Sequence, residues 1–143
     1  MLSAFCDAGV EFVVVGAYAL AAHGYVRATG DLDLWVGATP ENAARVLLAL
    51  QRFGAPTQGL TVADLATPDV VVQIGVAPRR IDVLTGIDGV DFGEAWTVRM
   101  TVDVDGLRVP VLCREHLVQN KRATSRPRDL ADLDALGDAT GTT

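Results

Sequence analysis

The chain has 143 residues, half of them hydrophobic and 21% charged. That composition packs a core, excludes a disordered chain, and at this length predicts one domain over residues 1–143. The formal net charge of −6 excludes a protein that coats nucleic acid through many phosphate contacts, though a local basic patch would still hold one.

Leu2–Ala8 reads as a short helix stopped by Gly9. Val10–Val15, apolar and β-branched, reads as a buried strand ended by Gly16. Ala17–His23 is alanine-rich and predicts a short helix with Gly24 as its stop. Tyr25–Gly30 is expected as a loop. Asp31–Val36 alternates acidic and apolar residues with the period of a strand. Thr39 is placed to cap a helix with Pro40 in its first turn, continued by Glu41 to Phe53 and closed by Gly54. Val62–Leu65 suits one helical turn, Val70–Val76 a strand, Ala77-Pro78 a turn and Arg79–Leu84 another strand. Phe92–Ala95 is too short to assign. Trp96–Val104 and Leu107–Leu112 alternate and are joined by Asp105-Gly106, a hairpin signal. Both tryptophans, Trp35 and Trp96, fall on predicted strands and are expected in the core. Arg114–Ala123 turns helical, Ser125-Arg126-Pro127 breaks it, and Arg128–Leu136 starts a last helix before a polar tail, 137–143. This order predicts an α+β fold, a mixed sheet flanked by helices, with a core over residues 10–112 and a helical segment over 113–136.

Cys6 and Cys113, the two cysteines, are too far apart for the clustered ligands of a zinc site. Their number allows one disulfide, but they are expected as reduced thiols of a cytoplasmic protein. The longest uncharged run, Phe12 to Val26, holds His23 and falls short of the roughly 20 apolar residues of a spanning helix, so no membrane partner is expected. No basic stretch precedes an apolar one at the start, so no signal peptide is expected.

The run Gly30-Asp31-Leu32-Asp33-Leu34-Trp35-Val36 carries the most chemistry. Carboxylates two apart on a strand share a face, about 6.6–7 Å apart along the backbone, while Leu32, Leu34 and Val36 face the other way. Two acids aimed at one point repel unless a cation lies between them, and hard oxygen ligands suit Mg²⁺ or Mn²⁺. The spacing alone also fits the solvated face of an edge strand. The strand–Gly16–helix element upstream adds a place where backbone can approach a phosphate. Asp103 and Asp105 have the same spacing but belong to the hairpin tip, where aspartate serves the turn. A third acid, Asp82, lies in an apolar strand and faces away from Ile81 and Val83. It needs a partner if buried, either a cation or a salt bridge to Arg79 or Arg80.

These residues resemble the nucleotidyltransferase superfamily with the polymerase-β-like core. The likeness rests on Gly16, Asp31, Asp33 and Asp82, on Val14-Val15-Gly16-Ala17 with Ala19, and on the run from His23 to Asp33. Lys121 followed by Arg128-Asp129-Leu130-Ala131-Asp132 makes the chain similar to the AbiEii-type toxins of toxin–antitoxin and abortive-infection systems. The resemblance implies an enzyme that moves a nucleoside monophosphate from an NTP to a hydroxyl. The acceptor it implies is an RNA, especially tRNA, or a protein, with a small molecule next and a cognate antitoxin as partner. Asp31 and Asp33 would hold both metal ions. Asp82 would bind the catalytic metal and help deprotonate the acceptor. Gly16, Ala17, Arg27, Thr29 and Lys121 would meet the nucleotide. Ala17 departs from the glycine or serine usual there and lacks a hydroxyl for the triphosphate. That departure favours a second class, a non-catalytic nucleotide- or partner-binding module. An interaction protein with decorative acids is a third.

Each residue also has a plainer use. Arg27 suits a solvated loop and Lys121 a solvated helix face. Arg114, Lys121, Arg122, Arg126 and Arg128 form a local basic run that would guide a triphosphate or RNA, or simply be solvated. Asp129 and Asp132 share a helix face and would orient basic residues or favour a helix N-terminus. His23 is expected as a hydrogen-bonded structural residue.

Overall fold

The computed structural model describes residues 1–24, 31–76 and 80–135, except for the side chains of Arg128 and Ala135. The expectations for Arg27, Thr29, the loop 25–30, the turn at Ala77-Pro78, Arg79 and the tail 137–143 fall outside these residues.

Helix α1 (Leu2–Asp7) leads into β1 (Phe12–Val15), α2 (Gly16–Ala22) and β2 (Asp31–Val36). The helix α3 (Pro40–Phe53) starts and stops where its sequence signals lie. The Thr39 hydroxyl accepts from the Asn42 N–H at 3.2 Å, Pro40 opens the first turn, and Gly54 closes it at φ +89°. The short α4 (Val62–Leu65) carries a reciprocal capping box between Thr61 and Asp64. Then come β3 (Val71–Ile74), β4 (Arg80–Leu84) and α5 (Phe92–Thr97), followed by β5 (Met100–Val104), β6 (Leu107–Val111), α6 (Arg114–Thr124) and α7 (Pro127–Ala135). Between β5 and β6, Asp105 at φ +50° and Gly106 at φ +85° make the two-residue turn whose twist matches the strands.

The six strands form one sheet in the order β3-β4-β2-β1-β6-β5. β2 runs antiparallel to β1 and parallel to β4, and β1 runs parallel to β6. The sheet is therefore mixed, with helices packed against it, as the α+β reading expects. Because β2 is an interior strand, its acids do not decorate a sheet edge. Phe5, Phe12, Leu34, Trp35, Val46, Leu50, Leu65 and Leu117 are among the fully buried core side chains. Asn42, also buried, ties α3 to the sheet. Its amide donates to Glu11 O at 3.0 Å and to Gly37 O at 2.9 Å, and its Oδ1 accepts from the Glu11 N–H at 2.7 Å.

Two expectations are corrected. Phe92 to Thr97 is a helix, so Trp96 lies on α5 and not on a strand. The Asp91 side chain caps it by accepting from the Glu94 N–H at 3.1 Å, and this cap outweighs the alternation that suggested a strand. Trp96 is also only half-buried: it stacks on Phe92, and the Arg99 guanidinium lies over its ring, 3.7 Å from the centre. Trp35 is in the core, edge-on to Phe92. Both cysteines are free thiols. Among the described residues no helix is long and apolar enough to cross a membrane.

Candidate active site

The register of β2 against β4 builds the site. Asp31 pairs with Arg80 and Asp33 with Asp82. Paired residues on neighbouring strands point to the same face, so three acids and one arginine gather there. The opposite face carries Leu32, Leu34, Ile81 and Val83, which face the core. β1 meets Asp33 through Val15 and then turns into α2 at Gly16, whose φ is +69°.

That turn is built around a carboxylate. A Cβ placed on Gly16 would lie 2.3 Å from Asp33 Oδ2. Glycine is required twice over, for its backbone angle and for the absent side chain. Ala17 is buried and offers the cleft no polar side-chain atom.

Burial first, then the negative charges of Asp82 and Asp31, push the Asp33 carboxyl up to about 6 against the opposing pull of Arg80. Asp82 is 7% exposed. The Arg80 Nη2 donates to Asp82 Oδ2 at 3.0 Å and lies 3.2 Å from Asp31 Oδ2. The salt bridge that the sequence allowed for Asp82 is thus formed with Arg80. Asp82 Oδ1 is buried with no hydrogen-bond partner.

As placed, no three His, Cys, Asp or Glu side chains among the described residues are gathered to hold a metal; Arg80 bridges two of the acids instead. The donor set still suits a divalent cation. It offers hard carboxylate oxygens from three residues, one of them buried and unpartnered, with more negative charge than one guanidinium offsets.

The acids line a cleft of about 600 Å³, whose wall also holds Gly16, Ala17 and Lys121. Every described residue singled out from sequence for this site therefore meets in one place. Lys121 is not a solvated helix lysine. It is 4% exposed, and its ammonium lies 3.3 Å from Asp129 and 3.0 Å from Asp132. Asp129 is fully buried. Burial pushes its carboxyl up, but hydrogen bonds from Arg126 and Thr124 and the Lys121 charge outweigh that and hold it well below the usual carboxylate range. The helical pair Asp129 and Asp132 thus orients a cation of the cleft wall. His23 is structural, its Nε2 donating to Leu112 O at 2.9 Å.

Asp88, Asn120 and Thr124 also line the cleft and were not singled out from sequence. Asn120 Nδ2 donates to Asp88 O at 2.9 Å, and the Gln119 amide donates to Gly89 O. Gly89 has φ +79°, and a Cβ there would sit 2.6 Å from the Ala123 Cβ. The signal for this docking was Gly86-Ile87-Asp88-Gly89, two glycines flanking an acid beside a helix with two amides.

The sequence matches no protein-family model and no curated protein. Among solved structures, it is similar to a Thermotoga maritima protein named "putative nucleotidyltransferase", with a TM-score of 0.58 and 16% identity over 96% of this chain and 90% of that one. The chain therefore has a nucleotidyltransferase-like fold: a six-stranded mixed sheet flanked by helices.

Proposed function

We propose that the chain is a metal-dependent nucleotidyltransferase that moves a nucleoside monophosphate from an NTP to a hydroxyl acceptor. The observation that carries this reading is the convergence of Asp31, Asp33 and Asp82 on one sheet face beside the Gly16 turn. The fold likeness agrees with it.

Asp31, Asp33 and Asp82 are the residues to hold Mg²⁺ or Mn²⁺. Bound there, a divalent cation supplies charge neutralisation at the attacking and leaving oxygens. The chain's own part is to position and to accept a proton. An acceptor hydroxyl attacks the α-phosphorus, the bond to the bridging oxygen breaks, and pyrophosphate leaves. The hydroxyl proton passes to Asp82, whose buried Oδ1 has no other partner. The raised pKa of Asp33, about 6, fits a group awaiting a positive charge. Gly16 leaves room for the Asp33 carboxylate in the cleft wall, and Ala17 lines the cleft beside it. Lys121 places a positive charge in the cleft wall, steadied by Asp129 and Asp132, and phosphoryl transfer rests on such positioning. The sequence resemblance adds Arg27 and Thr29 to the nucleotide-binding set.

An RNA, particularly tRNA, or a protein side chain is the acceptor class that follows from the toxin-like motifs, with an antitoxin as partner in a cytoplasmic setting. A second reading is a non-catalytic nucleotide- or partner-binding module. It is favoured by Ala17, which is buried and brings no hydroxyl. The test is transfer from each α-labelled NTP, with Mg²⁺ or Mn²⁺, to RNA and protein of a cell extract. A labelled product that Asp33→Ala abolishes is expected. Labelling that persists in Asp33→Ala overturns the mechanism. NTP binding without transfer to any acceptor moves the reading to the binding module.

A further inference from the structure

Arg80 sits among the carboxylates of the proposed cation site. Its Nη2 is 3.0 Å from Asp82 Oδ2 and 3.2 Å from Asp31 Oδ2. One nitrogen thus serves two carboxylates, without the two parallel bonds that make an arginine–carboxylate pair strong. The mismatch leaves atoms stranded on both sides: Arg80 Nε and Asp82 Oδ1 are both buried without a hydrogen-bond partner. The nearby cations of the cleft wall are committed elsewhere. Lys121 lies against Asp129 and Asp132, and Arg126 donates to Asp129. The Arg80 side chain is 36% exposed, so it has a route out of the cluster toward solvent.

We propose that Arg80 is a displaceable counter-cation: it holds Asp31 and Asp82 together while no metal is bound, and it must leave their oxygens for a divalent cation to bind. This rests on the reading of the three acids as a metal site. Arg80 contacts carboxylates of two of the three residues that would hold the cation, and a guanidinium left in place repels the incoming charge. The arginine therefore lowers metal affinity while keeping the empty carboxylate cluster together. A merely structural salt bridge does the second and not the first.

The test is Mn²⁺ binding to the full chain, read from the paramagnetic resonance of free Mn²⁺, in wild type, Arg80→Gln and Arg80→Lys. Arg80→Gln is expected to bind Mn²⁺ about tenfold tighter, while Arg80→Lys, which keeps the charge, stays near wild type. Without metal, Arg80→Gln should melt below wild type, and saturating Mn²⁺ should close that gap. Wild type gives a reading independent of whether the variants fold. The Arg80 Nε–H, buried here, should exchange faster with solvent as Mg²⁺ is added. Equal or weaker Mn²⁺ binding by Arg80→Gln, or an Nε–H unmoved by Mg²⁺ that binds, overturns the inference and leaves the metal site standing. No Mn²⁺ binding by any of the three proteins overturns the metal reading and this inference with it.

Discussion

Replacing Gly16 with alanine tests whether the β1–α2 turn is shaped around Asp33. Two costs add. At φ +69° an alanine is held in the left-handed region, at about 1–2 kcal/mol. Its Cβ would also lie 2.3 Å from Asp33 Oδ2 and 3.2 Å from Cγ, so the carboxylate must shift, and repacking of this kind costs about 1–3 kcal/mol. The sum is about 2–5 kcal/mol. Gly106→Ala isolates the first cost, because Gly106 has φ +85° with nothing within 4 Å of its added Cβ. In an Asp33→Ala background only the Cβ of residue 33 remains, at 3.4 Å, an ordinary contact. There Gly16→Ala should cost only about 1–2 kcal/mol. Urea unfolding of wild type, both single variants and the double variant, in EDTA, gives the coupling energy directly. About 1–3 kcal/mol is expected, beyond the ~0.5 kcal/mol within which independent sites add. Additive costs would refute the close approach of Gly16 and Asp33.

The Asp33 carboxyl, pushed up from 3.8 to about 6, makes metal-free stability depend on pH. The folded chain binds this proton more tightly than the unfolded one, so stability falls as pH rises from about 4 to about 6 and stays low above that. Asp33→Asn removes the penalty. It should be more stable than wild type at pH 7.5 by about 1–2 kcal/mol, after allowing for solvent screening of a part-exposed group, with the gap closing toward pH 4. Thermal melts in EDTA at both pH values check this, and an unchanged gap refutes it. Asp129→Asn leaves the Lys121 ammonium with Asp132 as its one charged partner in this network, removes the negative charge facing Lys121 and Arg126, and cuts the two acceptor oxygens that serve Lys121, Thr124 and Arg126 to one. A loss of about 3–5 kcal/mol is expected at neutral pH. Because the Asp129 carboxyl is held low, its contribution is present above about pH 4 and fades as pH falls further. A loss under about 1 kcal/mol in urea unfolding at pH 7 would refute the buried network.

Local signals located most of the elements and the acids. Thr39, Pro40 and Gly54 marked both ends of α3, because caps and positive φ are satisfied within a few residues. Asp105-Gly106 marked the β5–β6 hairpin for the same reason. Alternation put Asp31 and Asp33 on the face opposite Leu32 and Leu34. Where two local signals competed, the reading failed: alternation suggested a strand at Trp96, and the Asp91 cap made a helix. Asn42 was not singled out from the sequence, yet it is buried on the backbone of Glu11 and Gly37.

What the sequence determined by itself is the inventory: a mixed α+β chain, a glycine turn, an Asp-x-Asp strand, a later Asp, and a lysine near two helical acids. The tertiary structure decided who meets whom. Only the parallel register of β2 and β4 sets Asp33 beside Asp82 and Arg80 beside Asp31, since a slip of one residue would turn the acids to the other face. Only the packing of α6 and α7 buries Lys121 between Asp129 and Asp132. Caps and turns are short-range and written in neighbouring residues. Strand register and helix docking join residues far apart in the chain, and they are settled by the burial of the whole core.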